Sequence, residues 1–210
     1  MKSSTTALSI AALSLAMLTP ALGHAQSSQD NQATGVGVAQ QMVPARASLT
    51  HALDSNSIHT GDQFRATFST NVHLNGGAEL HRGDALVGQV VADDTNTPGK
   101  SHLAVRFTQA VLKNGQTIPV KATIVALYSP GQLSTDLVDQ PQQFSNSWSN
   151  KILSVDQPGV ANGVDLHSRI GSQNSGVFVS EKNNIKIPAG SEIALAIAPQ
   201  GTVESADSAK

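Results

Sequence analysis

The chain contains no cysteine. Exported proteins often rely on disulfides, and a lipid-anchored bacterial precursor needs a cysteine at its cleavage site, so both of these arrangements are excluded. A cysteine nucleophile is excluded for the same reason. The stability of the fold must therefore come from a buried hydrophobic core.

Charged and aromatic residues are also scarce. Charged residues make up 13% of the 210 positions, against about a quarter in an average protein, and the net charge is −2. Basic residues are scattered rather than concentrated, so the chain lacks the electrostatic surface that nucleic-acid binding requires. Aromatic residues contribute only 3%, whereas carbohydrate-binding surfaces use them freely.

The first 25 residues have the pattern of a cleaved signal peptide. Lys2 is followed by the apolar run 7–17 and then by the small-residue triplet Gly23-His24-Ala25. The run is shorter than the roughly 20 apolar residues that span a bilayer. We predict cleavage near Ala25, a periplasmic or extracellular location, and no membrane span in the mature protein.

Composition divides the remainder into a single domain with polar ends. Residues 26–43 are rich in Gln and Gly and are predicted to be a disordered leader, and residues 201–210 a disordered tail. The domain is predicted over 44–200. Within it, 129–150 is a long polar stretch that we interpret as a loop.

Apolar residues alternate with polar ones along most of the domain, which is the period of a β-strand. The apolar positions that share one parity are Phe64, Ala66 and Phe68; Leu86, Gly88 and Val90; Leu103, Val105 and Phe107; Ile118, Val120, Ala122, Ile124 and Ala126; and Ile193, Leu195 and Ile197. The alternation predicts an all-β fold, either one small β-barrel or a two-sheet sandwich, of about eight to ten short strands.

A glycine-centred pattern recurs four times, with an apolar residue three positions before the glycine and alternating apolar residues after it. The four glycines are Gly61, Gly83, Gly115 and Gly190. Each is predicted to occupy a tight turn between strands, where glycine accepts a positive φ. Four such corners favour a closed or half-closed barrel, which removes exposed sheet edges.

Three stretches, 81–90, 103–107 and 112–120, together with the later piece 175–193, carry a family resemblance. They resemble uncharacterised exported bacterial β-barrel proteins of acidobacterial type. More distantly, they are similar to the β-barrel domain of TrbI-type proteins of conjugal-transfer pores. The shared positions are turn glycines and strand apolars, so the resemblance implies a barrel and carries over no catalytic residue.

Three aromatic residues, Tyr128, Phe144 and Trp148, lie in or beside the long loop. One interpretation is an aromatic platform that binds sugars or peptides. The other is that these side chains cap an open end of the barrel.

The sequence contains no motif typical of a metal or cofactor site, and neither a metal nor a cofactor is expected. Asp93 and Asp94 belong to an oxygen-rich turn and are weak candidates for a calcium site, although such turns form without metal. The histidines lack the short spacings of zinc ligands. Arg82-Gly83-Asp84 matches an integrin-binding tripeptide, but the corner pattern already explains its glycine and its aspartate.

These observations favour a non-enzymatic function. We predict an exported binding or structural module of the cell envelope, whose partner is an envelope protein or a glycan. One alternative is a periplasmic hydrolase whose Ser, His and Asp residues meet only in the folded chain. Another is a TrbI-like component of secretion or envelope assembly.

Overall fold

The computed structural model describes residues 42–94, 100–131, 154–182 and 184–200. Every regular element in these ranges is a β-strand, which confirms the predicted all-β class. No helix among these residues is long and apolar enough to cross a membrane. The predicted signal peptide and tail, and most of the predicted leader and of the 129–150 loop, fall outside the described ranges.

The described residues form thirteen strands. They are β1 (Val43–Leu49), β2 (Leu53–Asp54), β3 (Gln63–Phe68), β4 (Val72–His73), β5 (Glu79–Leu80), β6 (Ala85–Asp94), β7 (Ser101–Val111), β8 (Thr117–Tyr128), β9 (Ser154–Ala161), β10 (Val164–Arg169), β11 (Gly176–Ser180), β12 (Lys186–Ile187) and β13 (Glu192–Pro199).

Nine of these strands form one sheet, and six of the nine close on themselves. The closed order is β1, β3, β6, β7, β8 and β13, with β13 paired back to β1 and every pairing antiparallel. The barrel alternative is therefore confirmed. The remaining strands, β11, β10 and β9, extend the sheet from the first half of β7.

The predicted alternation places the apolar set of each barrel strand in a single core. Phe64 and Phe68 of β3, Leu86 of β6, and Leu103 and Val105 of β7 are all almost fully buried. On β8 the alternation changes at Val125, which is the extra residue of a β-bulge opposite β13. Because of this bulge, Leu127 joins the core cluster and Ala126, which the alternation predicted to face inward, does not.

Two short strand pairs close the ends of the barrel. β1 and β13 are antiparallel, so the end of β1 lies beside the start of β13. β2 follows β1 and β12 precedes β13, and the β2–β12 pair therefore lies at this end of the barrel. The β4–β5 pair connects β3 to β6 at the other end. Leu53, Ile187, Val72 and Leu80 of these pairs belong to the barrel core, so apolar side chains seal both ends.

The four corner glycines all have positive φ, at 99° for Gly61, 91° for Gly83, 86° for Gly115 and 78° for Gly190. At three of them the glycine N–H donates to a carbonyl of another strand: Gly61 to Val90, Gly83 to Phe68 and Gly190 to Leu49. These corners therefore join barrel strands as well as reversing the chain. Gly115 instead forms the local β7–β8 hairpin, where its N–H donates to the Leu112 carbonyl.

Asp84 connects two of these corners. Its side chain is only 2% exposed. One carboxylate oxygen accepts the His81 N–H at 2.7 Å and the other accepts the Lys113 N–H at 3.0 Å. The carboxylate of the Arg82-Gly83-Asp84 tripeptide is therefore occupied inside the protein, with both oxygens accepting backbone N–H groups.

Gly88 makes room for an aromatic pair inside the barrel. It lies opposite Phe64 on β3 and opposite Phe107 on β7. The two phenyl rings pack edge to face, with their centroids 5.2 Å apart. A Cβ atom on Gly88 would lie 2.3 Å from Cζ of Phe64, so the ring covers the glycine directly.

The extension ends in β9, whose second edge has no strand partner among the described residues. Pro158 lies inside this strand and cannot donate a backbone hydrogen bond. The register of β9 against β10 shifts at this point, and Gly159, with a φ of 65°, donates its N–H to Oδ1 of Asp165. The edge strand is therefore bulged at its centre.

Candidate functional site

The barrel strands β7 and β8 pair over only a short part of their length. Their register covers only Gln109 to Val111 on β7 and Thr117 to Pro119 on β8. Beyond this point the two strands separate and β7 pairs with β11 instead. We call the line of separation the seam.

A β-bulge at Thr108 accounts for the separation. The register of β7 against β6 steps from Gln109 to Phe107, which leaves Thr108 as the extra residue. As a result, Phe107 and Ala110, three positions apart, both point into the core. A bulge bends its strand and increases the local twist, so β7 leaves the path of β8.

Ser175 bridges the seam. This residue, just before β11, is buried, and its N–H donates to the Val105 carbonyl of β7. Its own carbonyl accepts the N–H of Ile124 on β8 at 2.8 Å. Its hydroxyl oxygen accepts the N–H of Phe107 at 2.9 Å. A single residue therefore satisfies backbone groups on both separated strands.

Two further side chains complete the closure. The Ser168 hydroxyl donates to the carbonyl of Ile124. The side-chain amide of Gln157 accepts the N–H of Leu127 at 3.1 Å and donates to its carbonyl at 3.2 Å, as a paired strand would. The seam is thus held by residues from the β9–β11 extension.

Replacing Ser175 with alanine is expected to lower the free energy of unfolding by about 1–3 kcal/mol, because the buried N–H of Phe107 loses its acceptor. Urea titration of protein that lacks residues 1–25, followed by circular dichroism, measures this loss. Ser172→Ala is the matched control. Among the described hydrogen bonds, the Ser172 hydroxyl oxygen accepts the N–H of Asn174 alone, within the same part-buried loop, so the control should lose much less. Equal losses in the two variants would contradict the bridging role of Ser175.

A cleft of about 340 Å³ opens where the seam begins. Its walls are Arg106, Phe107 and Thr108 of β7, Val120, Lys121 and Ala122 of β8, Gln173 of the β10–β11 loop, and Gln200 after β13. Two of these residues carry positive charge and none carries negative charge. We call this space the seam cleft.

Arg106 enters the seam cleft with unused hydrogen-bonding capacity. Its Nη2 donates to Oδ1 of Asn174 at 3.4 Å, a long hydrogen bond. Its Nε is buried and has no hydrogen-bond partner among the described residues. Asn174 belongs to the same loop as Ser175, so this loop both closes the seam and holds the guanidinium.

Lys121 is the second cation of the cleft. It is half-buried, and burial lowers the pKa of its ammonium group because desolvation disfavours the charged form. Neither Lys121 nor Arg106 forms an ion pair with any acidic residue in the described ranges. The cleft therefore holds two cations without a counter-charge from these residues.

A second cavity, of about 210 Å³, lies on the other side of the β10–β11 loop. Ser172 and Asn174 line it, whereas Gln173 lines the seam cleft. It contains an exposed pair in which Nδ1 of His167 lies 2.6 Å from Oδ1 of Asp156.

Histidine and aspartate are two of the three groups of a hydrolase triad, but the serines in this cavity have other partners. Ser168 donates to the Ile124 carbonyl, and the hydroxyl oxygen of Ser172 accepts the Asn174 N–H. Among the described hydrogen bonds, none joins a serine hydroxyl to His167.

The predicted aromatic platform is only partly visible. Tyr128 ends β8, is half-buried and lies opposite Glu192 of β13. Phe144 and Trp148 fall outside the described residues, so the platform stays a prediction.

Asp93 and Asp94, the weak calcium candidates, are the last two residues of β6. The carboxylate of Asp93 accepts the Thr60 hydroxyl at 2.8 Å and lies 3.1 Å from Nδ1 of His59. The hydrogen bond from Thr60 is the main cause that lowers the pKa of Asp93, and His59 adds to it. The side chain of Asp94 lies outside the described part of the structure.

Two histidines also approach a carboxylate beside the β4–β5 pair. Nε2 of His73 and Nε2 of His81 lie 3.1 Å and 3.8 Å from the same oxygen of Glu79, at the exposed β4–β5 pair. Across the described ranges, no group of three such residues has the arrangement of a metal site.

The residues of the seam cleft were not among the sequence candidates. Arg106 and Lys121 occupy outward positions of alternating strands, where charged residues are ordinary. One feature of the sequence does indicate the seam. The spacing of three between Phe107 and Ala110 breaks the period of two and predicts a bulge, and therefore a change in the course of β7.

Comparisons with known proteins show a distant structural similarity. No family model and no curated protein matches the chain. Among solved structures, the chain is similar to ComB10 of the Com type IV secretion system of Helicobacter pylori, at 17% identity and a TM-score of 0.35. The match covers 75% of this chain and 84% of that one. At this distance, the function of this chain has to be inferred from its own residues.

Proposed function

We propose that the chain is an exported, non-enzymatic binding module of the cell envelope, and that it binds its ligand in the seam cleft. The observation that carries the proposal is the cleft itself. It is a polar recess of about 340 Å³ in the barrel wall that contains two cations without acidic partners among the described residues. Binding sites are typically concave, with a few polar groups placed on a rigid frame.

The rest of the barrel supports this proposal because it holds the cleft walls in place. β6 pairs with β7 along most of its length, and β13 pairs with β8 from Val120 to Tyr128. The cleft residues of β7 and β8 therefore lie on strands that are fixed on their far sides. Such a frame presents the side chains without a large ordering cost on binding.

The proposal is tested by blocking the cleft without changing its charge. Thr108→Trp places a bulky ring at the cleft wall, whereas Thr117→Trp places the same ring at the exposed start of β8, outside the lining. Mature protein of each form is used to capture partners from envelope extract. We expect T108W to capture at least about tenfold less material than the unsubstituted protein, and T117W to capture an equal amount.

The outcomes separate the cleft from the long loop. A third form that lacks residues 129–150 measures the contribution of that loop. Loss of capture in the loop deletion, with full capture by T108W, would move the binding surface to the loop. Absence of any specific capture by the unsubstituted protein would remove the binding-module proposal altogether.

A further inference from the structure

The cations of the seam cleft indicate what kind of chemical group it receives. From the geometry we infer that the seam cleft binds an oxyanion, a carboxylate or phosphate group carried by the ligand, between Arg106 and Lys121. This inference rests on the proposed function for the biological role of the site. It adds the chemical class of the ligand.

The first reason is the unused capacity of Arg106. A guanidinium has five N–H donors, and the described hydrogen bonds give it one acceptor, Oδ1 of Asn174, at the long distance of 3.4 Å. Its buried Nε has no partner among the described residues. A buried donor without an acceptor is unfavourable, so an acceptor that enters the cleft and draws the guanidinium toward it relieves this cost. Arginine also matches the planar and tetrahedral oxyanions geometrically.

The second reason is the position of Lys121 on the opposite wall. Lys121 lines the same space, and burial partly removes its ammonium group from water. Two cations that share a desolvated recess repel each other, and an anion between them changes this repulsion into two attractions. Gln173 and Gln200 offer neutral amide donors at the rim of the same cleft.

The third reason is the absence of competition within the described lining. None of its residues is acidic, so no neighbouring carboxylate there already occupies the site. Elsewhere in the described ranges Lys186 lies 3.8 Å from Asp54, and the Lys113 and Lys182 ammonium groups donate to carbonyls. Among the described residues, Lys121 has no ion pair or side-chain hydrogen bond of this kind, and Arg106 has only the long hydrogen bond to Asn174.

The test uses the mature full-length protein and small probes. Amide chemical shifts are recorded by nuclear magnetic resonance during titration with inorganic phosphate, with acetate, and with acetamide as the neutral analogue. We expect saturable shifts at Gln173, Gln200 and Ala122 with at least one of the two anions and none with acetamide. The anion that binds more tightly distinguishes a phosphate ligand from a carboxylate ligand.

Charge variants then assign the effect to the two cations. R106Q/K121Q should weaken anion binding by at least about tenfold, because charge-assisted hydrogen bonds are lost. R65Q/K100Q is the matched control, because it removes the same charge from exposed residues outside the lining. Equal binding by the two double variants, or shifts that rise without saturation, would overturn the inference.

Acidic residues that follow Gln200 could compete for the cleft, and this competition is tested separately. Glu204 and Asp207 follow Gln200 closely in the sequence. A tenfold gain in anion affinity in E204Q/D207N would show that these carboxylates occupy the cleft in the unsubstituted protein. This result would overturn the inference of an external oxyanion. Unchanged affinity supports it.

The envelope capture experiment separates this inference from the proposed function. If T108W loses capture but R106Q/K121Q retains it and no anion binds, the cleft is a binding site for another class of ligand. If T108W retains capture while anions bind at Arg106 and Lys121, the oxyanion site stands and the envelope role fails.

Discussion

Replacing Asp84 with alanine is expected to lower the free energy of unfolding by about 3 kcal/mol, because hydrogen bonds to a charged group contribute roughly 1.5–3 kcal/mol each. The variant leaves the N–H groups of His81 and Lys113 without their acceptor. It also separates the corner before β6 from the hairpin that joins β7 to β8. Urea unfolding of protein that lacks residues 1–25, followed by far-ultraviolet circular dichroism, gives the loss directly.

The chain supplies its own control for this experiment. Asp62 occupies the equivalent position in the Gly61 corner and accepts the N–H of His59 at 2.8 Å. Its side chain is exposed and makes no described link to another corner. Asp62→Ala should therefore lose about 1 kcal/mol or less. A loss at Asp62 that equals the loss at Asp84 would show that the burial and the second hydrogen bond of Asp84 contribute nothing.

Gly88→Ala is expected to destabilise the barrel by about 2–3 kcal/mol, because an added methyl group overpacks a filled core. The new Cβ would lie 2.3 Å from Cζ of Phe64, and Phe107 packs against the same ring. The phenyl ring cannot keep its position above the glycine. The same urea titration measures the effect.

A double-variant cycle distinguishes this clash from a general intolerance of β6. Phe64→Leu removes the outer atoms of the ring and leaves space above Gly88. G88A should therefore cost much less in the F64L background than alone, which gives a coupling free energy of about 1 kcal/mol or more. Strict additivity of the two substitutions would contradict direct contact as the cause.

The sequence predicted the barrel because most of its strands obey a single rule. β3 and the first half of β13 alternate without interruption, from Gln63 to Phe68 and from Glu192 to Leu195, and each of these segments therefore indicates one buried face. The corner glycines added the places where the chain changes strand. Together, the alternating strands and the corners were sufficient to predict the all-β class. They left two architectures, a closed barrel and a two-sheet sandwich.

The sequence did not predict the seam because the seam depends on register. The bulge residue Thr108 and the bridging residue Ser175 are ordinary polar residues in isolation. Their roles follow from which strands diverge and which loop fills the gap, and these relations join residues far apart in the chain. Arg106 and Lys121 become neighbours of one cleft only as a result of that divergence.

The sequence also contains a hairpin signal that the predicted strands did not include. Asn162-Gly163 is the pair favoured in two-residue hairpins, because both positions require positive φ. The observed φ values are 45° and 82°, and the pair joins β9 to β10. This dipeptide would have extended the predicted sheet beyond the long loop.

The bulged edge at β9 affects how molecules of this protein behave toward one another. A strand with a free, regular edge can template the addition of a strand from a neighbouring molecule, which is the first step toward fibrillar aggregation. In β9, Pro158 offers no donor and the backbone at Gly159 turns away to bond with Asp165. The hydrogen-bond ladder of an incoming strand would be interrupted after a few residues, so a high protein concentration does not favour growth of the sheet at this edge.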